Sequence, residues 1–179
     1  MFVMKLLRSL TATIVCSLLF LSVPAVMQAA PKAPAFSAVS VTGKATDTKQ
    51  LAGKTYIVNF FASWCPPCRA EIPDMVALQN KYSKKGFTFV GIAVNEDAEN
   101  IRSFITKNNI NYPVVMATPE LVDSYNRYVQ GGLRGIPTSF VVNSSGEITQ
   151  VISGGRSYAE FEKIILGAMK KSTVAAPKK

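Results

Sequence analysis

A seven-residue apolar run, Thr55–Phe61 (TYIVNFF), passes almost directly into Trp64-Cys65-Pro66-Pro67-Cys68. The run is rich in β-branched and aromatic residues, which predicts a strand buried on both faces. The prolines that follow favour the first turn of a helix, where an absent N–H costs nothing. Two cysteines therefore stand where a buried strand gives way to a helix, spanning roughly Pro66 to Lys85 with Gly86 as its stop. A thiol at a helix N-terminus feels the positive end of the dipole, which favours its thiolate.

The rest of the chain supplies a sheet around that strand. Strands are predicted at Phe36–Val41, Phe87–Val94, Val114–Ala117, Thr138–Val142 and Glu147–Ser153, the last two joined by the turn Asn143–Gly146. Helices are predicted over Ala98–Asn108, from Thr118-Pro119 onward, and after a capping box at Ser157 and Glu160. Strands alternating with helices, then a hairpin and a closing helix, give an α/β fold with helices on both faces of the sheet.

Three cysteines and no histidine narrow the chemistry. Ser/His/Asp and Cys/His catalysis are excluded. Cys16 lies in the leader, so the body holds one close pair, too few ligands for a closed zinc site; no metal or cofactor is expected. The formal charge is +9, but six of the lysines and arginines sit at the two ends, leaving about +3 on the body and no basic stripe interleaved with aromatics. Nucleic acid is not an expected partner.

Residues 1–30 read as an export address: Lys5 and Arg8, the apolar stretch Leu10–Val26, then Ala29 and Ala30. The cleavage site is imperfect, with Gln28 or Met27 where a small residue belongs, so a cleaved signal peptide and a retained membrane anchor both stand. Either outcome places residues 31–171 outside the cytoplasm, where disulfides persist. Residues 172–179 are expected to form a disordered basic tail.

Cys65, at the tip of the motif, is the candidate nucleophile, forming a mixed disulfide with a substrate; Cys68, one turn in, is shielded and resolves it. Pro66 and Pro67 have no N–H, so of the usual capping donors only that of Cys68 is left for the Cys65 sulfur. A moderately acidic thiol follows.

Val58–Pro73 (VNFFASWCPPCRAEIP) and Gly135–Thr138 (GIPT) resemble the thioredoxin superfamily, and within it the extracytoplasmic TlpA/ResA/CcmG-like branch, over about Phe36–Lys171. The resemblance implies a thioredoxin-like fold with a central mixed sheet, an N-terminal β extension, and an extra helix and strand between about Asn95 and Thr118. It implies a cis Ile136–Pro137 bond beside the cysteines, with the Ile136 backbone pairing to an extended substrate and Trp64 walling the same groove. Cytosolic thioredoxins carry a buried Asp where this chain has Asn59, and the branch has a glutamate at Glu71. Glu71 either exchanges a proton with Cys68 or is a solvated charge favoured by the helix dipole.

The function the resemblance implies is reduction of protein disulfides by a Cys65/Cys68 dithiol, an enzyme activity serving cytochrome c maturation. A membrane thiol carrier would donate electrons and an apocytochrome c would accept them, with the enzyme a monomer. An oxidase or isomerase uses the same residues. A copper or haem chaperone and a thiol peroxidase are the alternatives from other classes.

Overall fold

The computed structural model describes residues 30–174. The sequence expectations for Met1–Ala29 and for the end of the tail lie outside the described residues. A short hairpin, β1 (Ser37–Val39) and β2 (Ala45–Asp47), turns at Gly43, whose φ of 86° suits glycine. The main sheet is built from β3 (Thr55–Phe61), β4 (Phe87–Ala93), β5 (Val114–Met116), β6 (Thr138–Val142) and β7 (Ile148–Ser153). Its strand order is β5-β4-β3-β6-β7, with β3, β4 and β5 parallel and β6 and β7 antiparallel.

Every residue of β3 is buried, as the unbroken apolar run requires of a strand at the centre of a sheet with both faces covered. Ile57 and Phe61 point to one face with Phe87, Phe89 and Val141. There they meet α1 (Pro66–Tyr82), α2 (Ala98–Lys107) and α4 (Tyr158–Val174) through Met75, Leu78, Ile101, Phe161 and Ile165. Tyr56, Val58 and Phe60 point to the other face and pack with Phe140, Leu121 and Tyr125, the last two on α3 (Pro119–Asn126). The Phe60, Tyr125 and Phe140 rings meet edge to face.

Two expectations need correcting. The edge strand expected at Phe36–Val41 is shorter, β1 at Ser37–Val39, and among the described residues it pairs with β2 as an N-terminal β extension, while the Val41 N–H reaches the Val114 carbonyl at 2.8 Å. The closing helix runs past Ser172 to Val174, further than the expected start of the tail. The first helix continues through Pro73, tightens into a 3-10 turn at Ser83–Lys85, and stops at Gly86 in the left-handed region.

Gly91 faces Asn59 across the β3–β4 ladder. A Cβ there would lie 2.9 Å from Phe61 Cε1 and 3.2 Å from Val114 Cγ2. The Phe61 ring is buried and cannot withdraw without repacking. Gly91→Ala is therefore expected to destabilise the fold by about 1–3 kcal/mol, measured as a lower urea midpoint.

Candidate active site

The end of β3 delivers Cys65 to the mouth of α1. Cys65 is the N-cap residue, and its extended backbone leaves Sγ facing the first turn. With proline at both of the next two positions, Sγ accepts one hydrogen bond, from the Cys68 N–H at 3.4 Å. Cys65 and Cys68 form a disulfide with their Cα atoms 5.3 Å apart.

Exposure departs from the expectation that Cys65 forms the tip. Cys68 has no exposed surface, but Cys65 keeps only 3%. Trp64, 57% exposed, occupies the tip instead. The loop before β6 approaches the sulfur: the Cys65 Sγ lies 3.7 Å from the Ile136 carbonyl oxygen. Ile136–Pro137 is cis, and Pro137 is buried. Among the described residues no hydrogen bond takes up the Ile136 N–H.

Beside this lip runs a groove of about 380 Å³. Phe60, Trp64, Val94, Val122, Leu133 and Ile136 form its apolar lining, with Asn95 and Arg134 at its polar edge. A second cavity, of about 410 Å³, lies across the same loop and includes Pro137, Thr138 and Gly154. The segment Arg134–Ile136 borders both.

Further along α1 is a buried carboxyl group. Glu71 stands on α1 one turn beyond Cys68 and is buried, which rules out the solvated-charge reading. Its Oε1 accepts from Asn59 Nδ2 at 2.9 Å and its Oε2 from the Arg156 N–H at 3.1 Å. Asn59 also donates to Ser139 Oγ at 3.0 Å, so the amide from β3 is fixed between α1 and β6. Burial pushes the Glu71 carboxyl up to about 7, against the opposing pull of Asn59, the Arg156 N–H and the Arg156 charge. A carboxyl tuned to that value can take or give a proton near neutral pH.

The loop that meets Glu71 is itself anchored. Asp74, one turn further along α1, accepts from the Tyr158 N–H at 2.8 Å and so helps satisfy the start of α4. A Cβ at Gly155 would sit 3.5 Å from Glu71 Oε2 and 4.0 Å from Pro137 Cγ, so this loop also backs the cis-proline.

Sequence reasoning thus placed Cys65, Cys68, Trp64, Ile136, Pro137 and Glu71, and the fold brings them to one end of the sheet. It missed Arg156, Ser139 and Asp74, and gave Asn59 no role. The available signal was the loss of the buried Asp: a buried Asn needs partners, and a buried Glu one turn past Cys68 is a suitable one.

Residues 28–165 match the Redoxin family. The chain belongs to the Redoxin family. Among Redoxin relatives, thiol–disulfide oxidoreductase ResA of Bacillus thuringiensis (strain Al Hakam) is 29% identical over 148 residues, covering 82% of this chain and 80% of the relative. A solved structure of a thiol:disulfide interchange protein, a thioredoxin family protein from Chlorobium tepidum TLS, is 54% identical, with a TM-score of 0.76 over 78% of this chain and 97% of that one. A second Chlorobium tepidum structure, a putative thiol:disulfide interchange protein DsbE, is 29% identical, with a TM-score of 0.67 over 78% of this chain and 96% of that one. The Redoxin fold, these relatives and a disulfide at a helix mouth make the chain a thiol–disulfide oxidoreductase.

Proposed function

We propose that this oxidoreductase works outside the cytoplasm as a reductant of protein disulfides, with an apocytochrome c as substrate and a membrane thiol carrier as electron source. The observation that carries the reading is the single N–H donor at the Cys65 sulfur. A strong oxidant owes its potential to a stabilised reduced thiolate. Here two prolines withhold the donors that would supply that stabilisation, which favours the reducing direction.

In the reduced enzyme the Cys65 thiolate attacks a substrate disulfide. One substrate sulfur leaves as a thiolate, and a mixed disulfide forms on Cys65. The buried Cys68 thiol passes its proton to the Glu71 carboxylate and attacks Cys65 Sγ, expelling the second substrate sulfur. Two electrons have moved from the dithiol to the substrate, and the Cys65–Cys68 disulfide described above is the product. The substrate strand lies along Ile136, using its vacant N–H, with Trp64 and Ile136 as walls.

The extracytoplasmic assignment rests on the export pattern of residues 1–30, acting as a cleaved signal or a retained anchor, and on the resemblance to the TlpA/ResA/CcmG branch. Among the described residues no helix is long and apolar enough to cross a membrane. The domain from residue 31 to the end of α4 at Val174 acts as one monomeric unit.

Equilibration of the Cys65/Cys68 pair against glutathione tests the direction. The expected reduction potential is more negative than about −180 mV, on the reducing side of protein disulfide isomerase. A value near about −120 mV, that of a strong oxidant, would overturn the reductant assignment.

A further inference from the structure

The residues leading into Cys65 are held by the loop between β4 and α2. Glu96 Oε1 accepts from the Ser63 N–H at 2.6 Å, and the Asn95 carbonyl accepts from Trp64 Nε1 at 3.4 Å. The first bond has an ionised acceptor, a class roughly twice as strong as neutral pairs. The loop is fixed at both ends. The Val94 N–H donates to the Phe61 carbonyl at 3.0 Å, and the Asp97 carboxylate caps α2 through the Glu99 and Asn100 N–H groups. Between these anchors Asn95 has φ 52°, a left-handed conformation that Asn adopts more readily than most residues.

Glu96 has no contact with either sulfur among the interactions described, so its contribution runs through Ser63 and Trp64. The Trp64 ring is 57% exposed and borders the same groove as Asn95 and Ile136. Burial does not hold a ring in that position, and its own bond at 3.4 Å is long. The shorter bond fixes the backbone beneath it. We infer that Glu96 is a positioning residue for protein substrates: by gripping Ser63 it keeps the Trp64 wall standing beside Cys65. A polypeptide segment then lies in the groove while its disulfide meets the sulfur. This rests on the oxidoreductase reading above and adds to it a residue that small thiols do not need.

Trp64 is the only tryptophan in the sequence, so its fluorescence reports the wall directly. Reduced full-length chain is mixed with insulin, a protein disulfide, or with oxidised glutathione, and Trp64 quenching by acrylamide is recorded. Glu96→Ala is expected to change the quenching and to slow exchange with insulin by about tenfold, the scale of one charge-assisted hydrogen bond. Exchange with glutathione stays within about twofold of wild type, since a small disulfide needs little orientation from the groove. Glu96→Gln, whose amide oxygen still accepts from Ser63, recovers most of the loss. Glu96→Asp keeps the charge but is too short to reach, so it behaves like the alanine variant and repeats the test should that variant not fold. The inference is overturned by an insulin rate unchanged in Glu96→Ala and Glu96→Asp, by equal losses toward insulin and glutathione, or by Glu96→Gln being as slow as alanine. Wild type inert toward both disulfides would instead defeat the reading beneath it.

Discussion

Replacing Cys68 with alanine is expected to convert the enzyme into a trap. Cys65 still attacks a disulfide, but no neighbouring thiol releases the product, so the partner stays bound through sulfur. Resolution within one helical turn is an intramolecular reaction, and well-oriented intramolecular groups reach effective molarities of about 10⁵ M or more. Losing that advantage drops turnover by about a thousandfold or more at millimolar external thiol. A non-reducing gel, or the mass of the adduct, shows the covalent complex and identifies the natural partner. Cys65→Ala should give no adduct, because Cys68 has no exposed surface with which to meet a substrate. Both variants remain folded: the bridge closes a loop with a sequence separation of only 3, and short loops contribute little to stability. Normal turnover by Cys68→Ala would remove the two-cysteine cycle altogether.

The oxidised protein is expected to lose stability as the pH rises through neutrality, with Glu71 responsible. Burial lifts its carboxyl from 4.5 to about 7. Between those values the folded protein holds a proton that the unfolded chain has released. Stability contributed by the protonated form is therefore complete below about pH 4.5 and gone above about pH 7. Over that window the change is on the order of 3 kcal/mol, at 1.36 kcal/mol per unit. Urea midpoints of the oxidised protein at pH 5 and pH 8 measure it. Glu71→Gln flattens the dependence but lowers stability at both pH values, because either Asn59 Nδ2 or the Arg156 N–H then faces an amide NH₂, at about 1–3 kcal/mol. Equal slopes in wild type and Glu71→Gln would place the titrating group elsewhere.

The central strand and the helix after it were readable because each is dictated by neighbours in sequence. Thr55–Phe61 is bounded as its apolar run predicts, and the capping of Cys65 by the Cys68 N–H follows from two adjacent prolines. Glu71 was visible as a residue, but its burial was not, since that depends on Asn59 and Arg156, which arrive from β3 and from the loop before α4. The nearness of Ile136 to Cys65, 71 residues apart along the chain, was legible only through the resemblance carried by Gly135–Thr138. β2 escaped notice because three residues, Ala45–Asp47, in a polar stretch have no period to detect. Local chemistry could be read residue by residue, whereas contacts between distant segments required the fold.

Pro31–Ala33 is fastened to the turn between β6 and β7: the Ile148 N–H donates to the Pro31 carbonyl, the Ala33 N–H to the Gly146 carbonyl, and Lys32 pairs with Glu147. That turn and the reactive sulfurs occupy opposite poles, separated by the length of β3, about 23 Å for seven residues. Anything that holds this molecule by the front of its chain therefore grips it from behind. Under such a hold the redox end would point outward, free to greet a visitor.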